Sequence, residues 1–225
     1  MRSHLDRDLD ALKRDILTMG AMVEGATLKA IDALVNRRID LGEEVLKGDD
    51  AIDMKELEVE DKCLKALALH QPVAGDLRYI ISILKVNNDL ERMGDLAGHI
   101  ASRAIYLAQH PPIGMPRRFE EMADVVRTMV RRCLDALVNR DADLAMQVVL
   151  MDDKVDEIHW ESYRELLERM RRECEIIDLS FHTISAVRHL ERIADHAANI
   201  AEDIYFMVSG EVIRHKLETS HGEDN

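Results

Sequence analysis

The sequence predicts an all-α protein made of two copies of one three-helix unit. Three observations carry that reading. Glycine (10), proline (4) and aromatic residues (4%) are scarce among 225 residues, whereas Leu, Ala, Met, Glu, Asp and Arg dominate, and these favour helix over strand. The four prolines fall at two places, Pro72 and the group Pro111, Pro112 and Pro116, so long stretches run without a helix breaker. The two halves also repeat each other. DALVNR stands at 32–37 and again, identically, at 135–140. An acidic cluster follows each copy (Asp49, Asp50, Asp53; then Asp152, Asp153, Asp156), and each half goes on to LERxxDxAxxIA, at 90–101 and 190–201. Three features recurring in one order point to duplication of a helical unit.

Taken in order, the helices are expected at about 4–37, 41–69, 74–108, 118–139, 142–173 and 177–209. Asn36-Arg37-Arg38-Ile39-Asp40 and Asn139-Arg140-Asp141-Ala142-Asp143 break the first pair of each half, with aspartates able to cap the helix that follows. Gln71-Pro72 ends the second helix, because the residue before a proline is pushed out of the α region. HPPIGMP marks the linker, which divides the chain into a first bundle at 1–110, a linker at 111–117 and a second bundle at 118–214. Residues 215–225 read as a polar, frayed tail, and they hold the one Glu-x-x-His pair, Glu218 to His221. Long helices joined by short loops lie antiparallel to their neighbours.

Composition excludes several classes. A net charge of −14 argues against nucleic acid or an anionic membrane as a direct partner, since both require a basic surface. Cys63, Cys133 and Cys174 are odd in number and widely spaced, which reads as free, buried thiols in a reducing compartment. No apolar run approaches the roughly 20 residues of a membrane span. The charged N-terminus, MRSHLDRDLDALKRD, is unlike a signal peptide, so a cytoplasmic location is expected. The 12 methionines suit helix–helix packing. No Walker loop, GxGxxG after a strand, GxSxG or Cys/His nucleophile pattern is present.

The doubled segment supplies the candidate site. Glu91 and Asp95 are four apart and share a helix face, which His99 continues; the second copy reads Glu191, Asp195 and Asn199. Counting back by sevens reaches Leu84 and Leu77 from Glu91, and Ile184 and Ile177 from Glu191, so the glutamates are expected on or beside buried apolar stripes. Antiparallel pairing sets Glu91 and Asp95 level with Asp49, Asp53 and Glu56, and Glu191 and Asp195 level with Asp153, Asp156 and Glu157. Facing acids need compensation. Oxygen-rich groups with one His or Asn suit Mg, Mn, Fe or Zn. Arg92, Arg192 and Arg78 offer ordinary ion pairs instead, and the residues alone leave both readings open. His182, His189 and His196 form a helical row read as capping or solvated, Trp160 and Tyr163 as core or interface, and Arg78 as a candidate phosphate contact.

These residues resemble the PhoU family, the phosphate-specific transport system accessory proteins. The resemblance covers nearly the whole chain. It includes Met19-Gly20-Ala21-Met22-Val23-Glu24, Gly48-Asp49, Gln71 through Arg78, both LERxxD segments, Val208-Ser209-Gly210 and Arg214-His215. It implies two three-helix bundles related by pseudo-twofold symmetry, and a regulator rather than an enzyme. It implies repression of the phosphate-starvation regulon when phosphate is plentiful. The partners it implies are the phosphate ABC transporter ATPase subunit, a sensor histidine kinase and a second copy in a homodimer, with the membrane reached only through those partners. It also implies divalent or multinuclear metal at Glu91, Asp95, Glu191 and Asp195. The second repeat departs from the pattern, having Glu175-Ile176-Ile177-Asp178 where the first has Gln-Pro and Asp-Leu-Arg. A metal-dependent enzyme and a metal-buffering bundle are the alternatives.

Overall fold

The computed structural model describes residues 4–213; the tail, Arg214-His215 and the Glu218–His221 pair lie outside the described residues. Every regular element among the described residues is helical. One lobe holds α1 (His4–Val35), α2 (Ile39–His70) and α3 (Ala74–Ala108). The other holds α4 (Phe119–Asn139), α5 (Ala142–Val149), α6 (Asp152–Arg172), a 3-10 turn (Cys174–Ile176) and α7 (Ile177–Ser209).

The identical DALVNR segments make the same turn. Arg37 (φ 54°) and Arg140 (φ 52°) both take the left-handed conformation that ends a helix. Arg38 N–H then reaches back to Ala33 O, and Asp141 N–H to Ala136 O, each at 3.0 Å. The next step differs. The Asp141 side chain caps α5 by accepting from Leu144 N–H at 2.9 Å, whereas Asp40 leaves α2 uncapped and binds Arg38 Nε at 2.8 Å.

The single helix expected over 142–173 is two helices. At Leu150 and Met151 the chain tightens, and Met151 N–H donates to Val148 O, three residues back, at 3.0 Å. A new helix therefore begins at Asp152 and Asp153, whose carboxylates sit at its positive end. In the first lobe α2 runs straight through the corresponding acids.

Aliphatic and methionine side chains fill the interior, with Ile16, Met19, Ile80, Met93, Phe119, Met122 and Met129 fully buried. The linker is tied to both lobes. Arg37 binds Ala108 O at 3.2 Å and also His110 O, while Arg169 binds Gly114 O at 3.3 Å and also Ile113 O. The lobes join chiefly along α3 and α7, which pair antiparallel. Lys85 Nζ meets Asp203 at 2.8 Å, Asp89 meets His196 at 2.8 Å, the His99 and His189 rings lie 5.0 Å apart, and Tyr106 stacks on His182 at 3.8 Å. Residue numbers rise on one helix as they fall on the other, so the two LERxxD segments cross at the middle of the seam.

Several local expectations change. The histidine row is half-buried in this seam rather than solvated, because it faces α3. Cys63 and Cys133 are buried, and burial pushes their thiols up to about 12, but Cys174 is exposed in the turn before α7. Trp160 (57% exposed) and Tyr163 (39%) lie on the surface, outside the core. Leu77 and Ile177 are exposed as well, since among the described residues no third helix covers that edge of either lobe.

Candidate functional site

Two groups of carboxylates lie where the final helix of each lobe meets the helix before it. In the first lobe, Asp49 and Asp53 of α2 and Asp95 of α3 bring carboxylate oxygens within 4.8 Å of one another. The helices can approach because Gly94 and Gly98 lie in α3; a Cβ on Gly94 would sit 3.2 Å from Ile52, and one on Gly98 would sit 3.9 Å from Asp49 Oδ1. Glu91 borders this group, one turn back along α3. Burial and the charges of Asp95, Asp53 and Glu56 raise its carboxyl above the ordinary range, Arg92 partly opposing them. Burial, Asp53 and Asp95 do the same to Asp49, with His99 opposing. Arg92 lies 3.5 Å from Glu91 and 3.9 Å from Asp95, so this group is partly neutralised by an arginine.

In the second lobe the group is Asp156 of α6 with Glu191 and Asp195 of α7, again within 4.8 Å. Among the described residues no lysine or arginine nitrogen comes within 4.0 Å of these three; His159 Nδ1, 3.6 Å from Glu191, is the one basic nitrogen that does. Burial and the neighbouring acids push Glu191 up to about 7, and they raise Asp156 and Asp195. Asp152 joins them from the first turn of α6. It is pushed up to about 7 by burial and by Asp195, Asp156, Asp153 and Glu191, and its Oδ1 is buried without a hydrogen-bond partner. That unpaired oxygen and the three converging carboxylates, with Arg188 and Arg192 opposing their charge only from beyond 4.0 Å, fit a hard or borderline divalent cation.

The expected residues are therefore only partly gathered. Asp49, Asp53, Asp95, Asp156, Glu191 and Asp195 converge. Asp153 points into solvent, and Glu157 turns to Arg118 at 2.8 Å. His99 is exposed beside His189, and Asn199, its counterpart, is half-buried. Arg78 packs against Gly210 at the far end of the α3–α7 seam, bringing together two segments of the family resemblance. Asp152 and His159 join the second group without having been singled out. Asp152 was visible as part of an acidic run, but its burial depends on the break at Leu150–Met151, which no glycine or proline announces.

Fold and site together define a class: a duplicated helical protein with an acid group on the final helix pair of each lobe. Comparison with known proteins narrows this. The PhoU domain model matches twice, over residues 16–104 and 119–204. A phosphate-specific transport system accessory protein PhoU homolog from Aquifex aeolicus is 40% identical over 219 residues, covering 97% of this chain and 99% of that protein. Its counterpart in Pseudomonas aeruginosa is 39% identical over 227 residues, covering 96% and 93%. The crystal structure of PhoU from Pseudomonas aeruginosa superposes with a TM-score of 0.88 at 37% identity, covering 92% of this chain and 100% of that one. The phosphate transport system regulatory protein PhoU from Streptococcus pneumoniae gives 0.85 at 28% identity, covering 93% and 99%. The chain belongs to the PhoU family.

Proposed function

We propose that the chain is a regulatory accessory protein of phosphate transport, a cytoplasmic homodimer acting by binding rather than by catalysis. It docks on the ATPase subunit of a phosphate ABC transporter and on a sensor histidine kinase, and it holds phosphate-starvation genes off while phosphate is plentiful. The observation that carries this reading is similarity along nearly the full length to proteins described as accessory to that transport system, with both halves matching the family domain. No helix among the described residues is long and apolar enough to cross a membrane, which suits contact with the transporter through its peripheral subunit. Deleting the gene is expected to raise alkaline phosphatase several-fold in phosphate-rich medium. Unchanged repression contradicts the reading.

A second feature of the same reading is divalent metal held by the acid groups. Asp156, Glu191 and Asp195, with Asp152 beside them, would hold it in the second lobe; Asp49, Asp53 and Asp95 would do so in the first. The bound ion would supply positive charge that lets the carboxylates ionise together. The first group, with Arg92 at its edge, binds more weakly. Metal analysis of untagged protein is expected to lose most metal in the Asp156→Asn/Glu191→Gln/Asp195→Asn variant and less in Asp49→Asn/Asp53→Asn/Asp95→Asn. Equal metal content in wild type and both variants removes metal from the account.

A further inference from the structure

We propose that the middle of the α3–α7 seam is a binding site for a small tetrahedral oxyanion, inorganic phosphate, held by Arg103 together with His99, His182, Ser185 and His189. The proposal deepens the regulatory reading, from which it takes only the choice of phosphate among oxyanions.

The seam gathers positive charge in a chain whose net charge is −14. Arg92, His99, Arg103 and His110 follow one another on α3, and His182, His189, Arg192 and His196 on α7, at helical spacings that keep each set on one face. His99 lies level with His189, and Tyr106 with His182. Arg103 therefore falls between the two histidines of α7. Its Nη1 lies 3.4 Å from His182 Nδ1, and Ser185 Oγ lies 3.3 Å from His189 Nε2.

Two nitrogens of this group, Arg103 Nε and His189 Nδ1, are buried without a hydrogen-bond partner. A guanidinium Nε always carries hydrogen. With Ser185 Oγ donating to His189 Nε2, His189 Nδ1 carries hydrogen too. Buried donors without an acceptor are costly, and they mark a place where an acceptor belongs. The chain's own acids do not supply it. Neither Arg103 nor His189 has an acid three or four residues away on its helix. Among the described residues no carboxylate oxygen lies within 4.0 Å of Arg103, His99, His182 or His189; the histidines that do meet acids are His70, His159 and His196. The charges acting most on His189 are all positive, those of His99, Arg103, Arg192 and Arg188, and with burial they push it down to about 4. Acids reach only the edges of the group: Asp178 acts on His182, Asp49 on His99, and Glu191 and Asp195 on Arg192.

Chemistry selects the occupant. Donors converge from two helices, and a tetrahedral dianion presents oxygens in several directions at once, which a planar carboxylate does not. Guanidinium and imidazole donors match such oxygens with charge-assisted hydrogen bonds. The His99 ring is exposed and lies 5.0 Å from that of His189, so it forms the outer cover of the site and turns aside as the ion enters.

Titration of the full-length protein with inorganic phosphate, at fixed pH and ionic strength and followed by histidine-ring NMR, tests this. The signals of His99, His182 and His189 are expected to shift saturably at millimolar phosphate or below, while His70, paired with Asp8 outside the seam, stays in place. Arg103→Gln is expected to weaken binding about tenfold or more, and Arg103→Lys, which keeps the charge, to weaken it less. The wild-type titration decides the site even where a variant at this half-buried position fails to fold. Absence of saturable shifts, the same shifts with chloride, or equal or tighter binding of sulfate or glycerol phosphate overturns the proposal. Binding that survives Arg103→Gln but is lost in Asp156→Asn/Glu191→Gln/Asp195→Asn overturns it too, since the ion would then sit at the acid group. A deletion strain that stays repressed overturns the regulatory reading, and the titration still decides the site.

Discussion

Asp152 and Glu191 are carboxylic acids held well above their ordinary range by burial and by neighbouring acids. In an unfolded chain both titrate near pH 4, whereas burial and mutual repulsion bring both to about 7 in the fold. Between those values the folded form holds more protons than the unfolded form, so their contribution to stability falls as pH rises through that window. His159, His182 and His189 have lowered values, the last about 4, and act in the opposite sense below their ordinary 6.5. The wild-type profile is therefore a sum, and a variant isolates one part of it. Asp152→Asn is expected to match wild type near pH 4 and to exceed it by roughly 1–2 kcal/mol at pH 8, after discounting for partial exposure. Urea unfolding in the presence of a chelator measures this, and a difference that does not grow with pH contradicts the electrostatic account. Six of the converging acids were legible from spacing and register alone. Asp152 was not legible as buried, because its depth depends on where a helix stops rather than on its neighbours in sequence.

At the scale of elements, the duplicated turns show what a repeated sequence does and does not dictate. DALVNR makes the same left-handed stop twice, so those boundaries could be read directly. Capping diverges one or two residues later, because Asp141 stands at the cap position while Arg38 occupies it in the first lobe. Asp141→Ala is accordingly expected to cost about 1 kcal/mol. Asp40→Ala, which removes only an exposed ion pair with Arg38, should change stability by no more than a few tenths. Chemical denaturation of the two variants side by side checks the contrast; equal losses would place Asp40 in a cap that the structure does not give it. The apolar stripe was legible as a stripe but was assigned to the interior. Heptad counting finds which residues share a face, and it is silent on whether a third helix covers that face. Among the described residues none does, which leaves Leu77, Ile177 and Phe181 open.

Across the whole molecule, duplication yields one scaffold with two unequal acid groups. The antiparallel seam of α3 and α7 sets them about its midpoint, and the His99–His189 and Asp89–His196 contacts lie between them. In the first lobe an arginine pairs with the acids and α2 is unbroken; in the second a helix break delivers Asp152, and Arg188 and Arg192 act on the acids only from beyond ion-pair distance. Of the six expected long helices, only the one broken at Leu150–Met151 was misread; the other five and a central linker could be read from punctuation and repeats. The seam could not, since its histidines and polar pairs look like a solvated face until a second lobe covers them. The central claim is that this diverged pair of lobes serves phosphate-dependent regulation through the second acid group. Alkaline phosphatase measured in phosphate-rich medium, in a deletion strain carrying wild type or either triple variant, tests it most directly. Wild type and Asp49→Asn/Asp53→Asn/Asp95→Asn are predicted to restore repression fully or in large part, and Asp156→Asn/Glu191→Gln/Asp195→Asn to leave the enzyme high at normal protein abundance. Low activity in the uncomplemented strain, or full repression by the second-lobe variant, would contradict it.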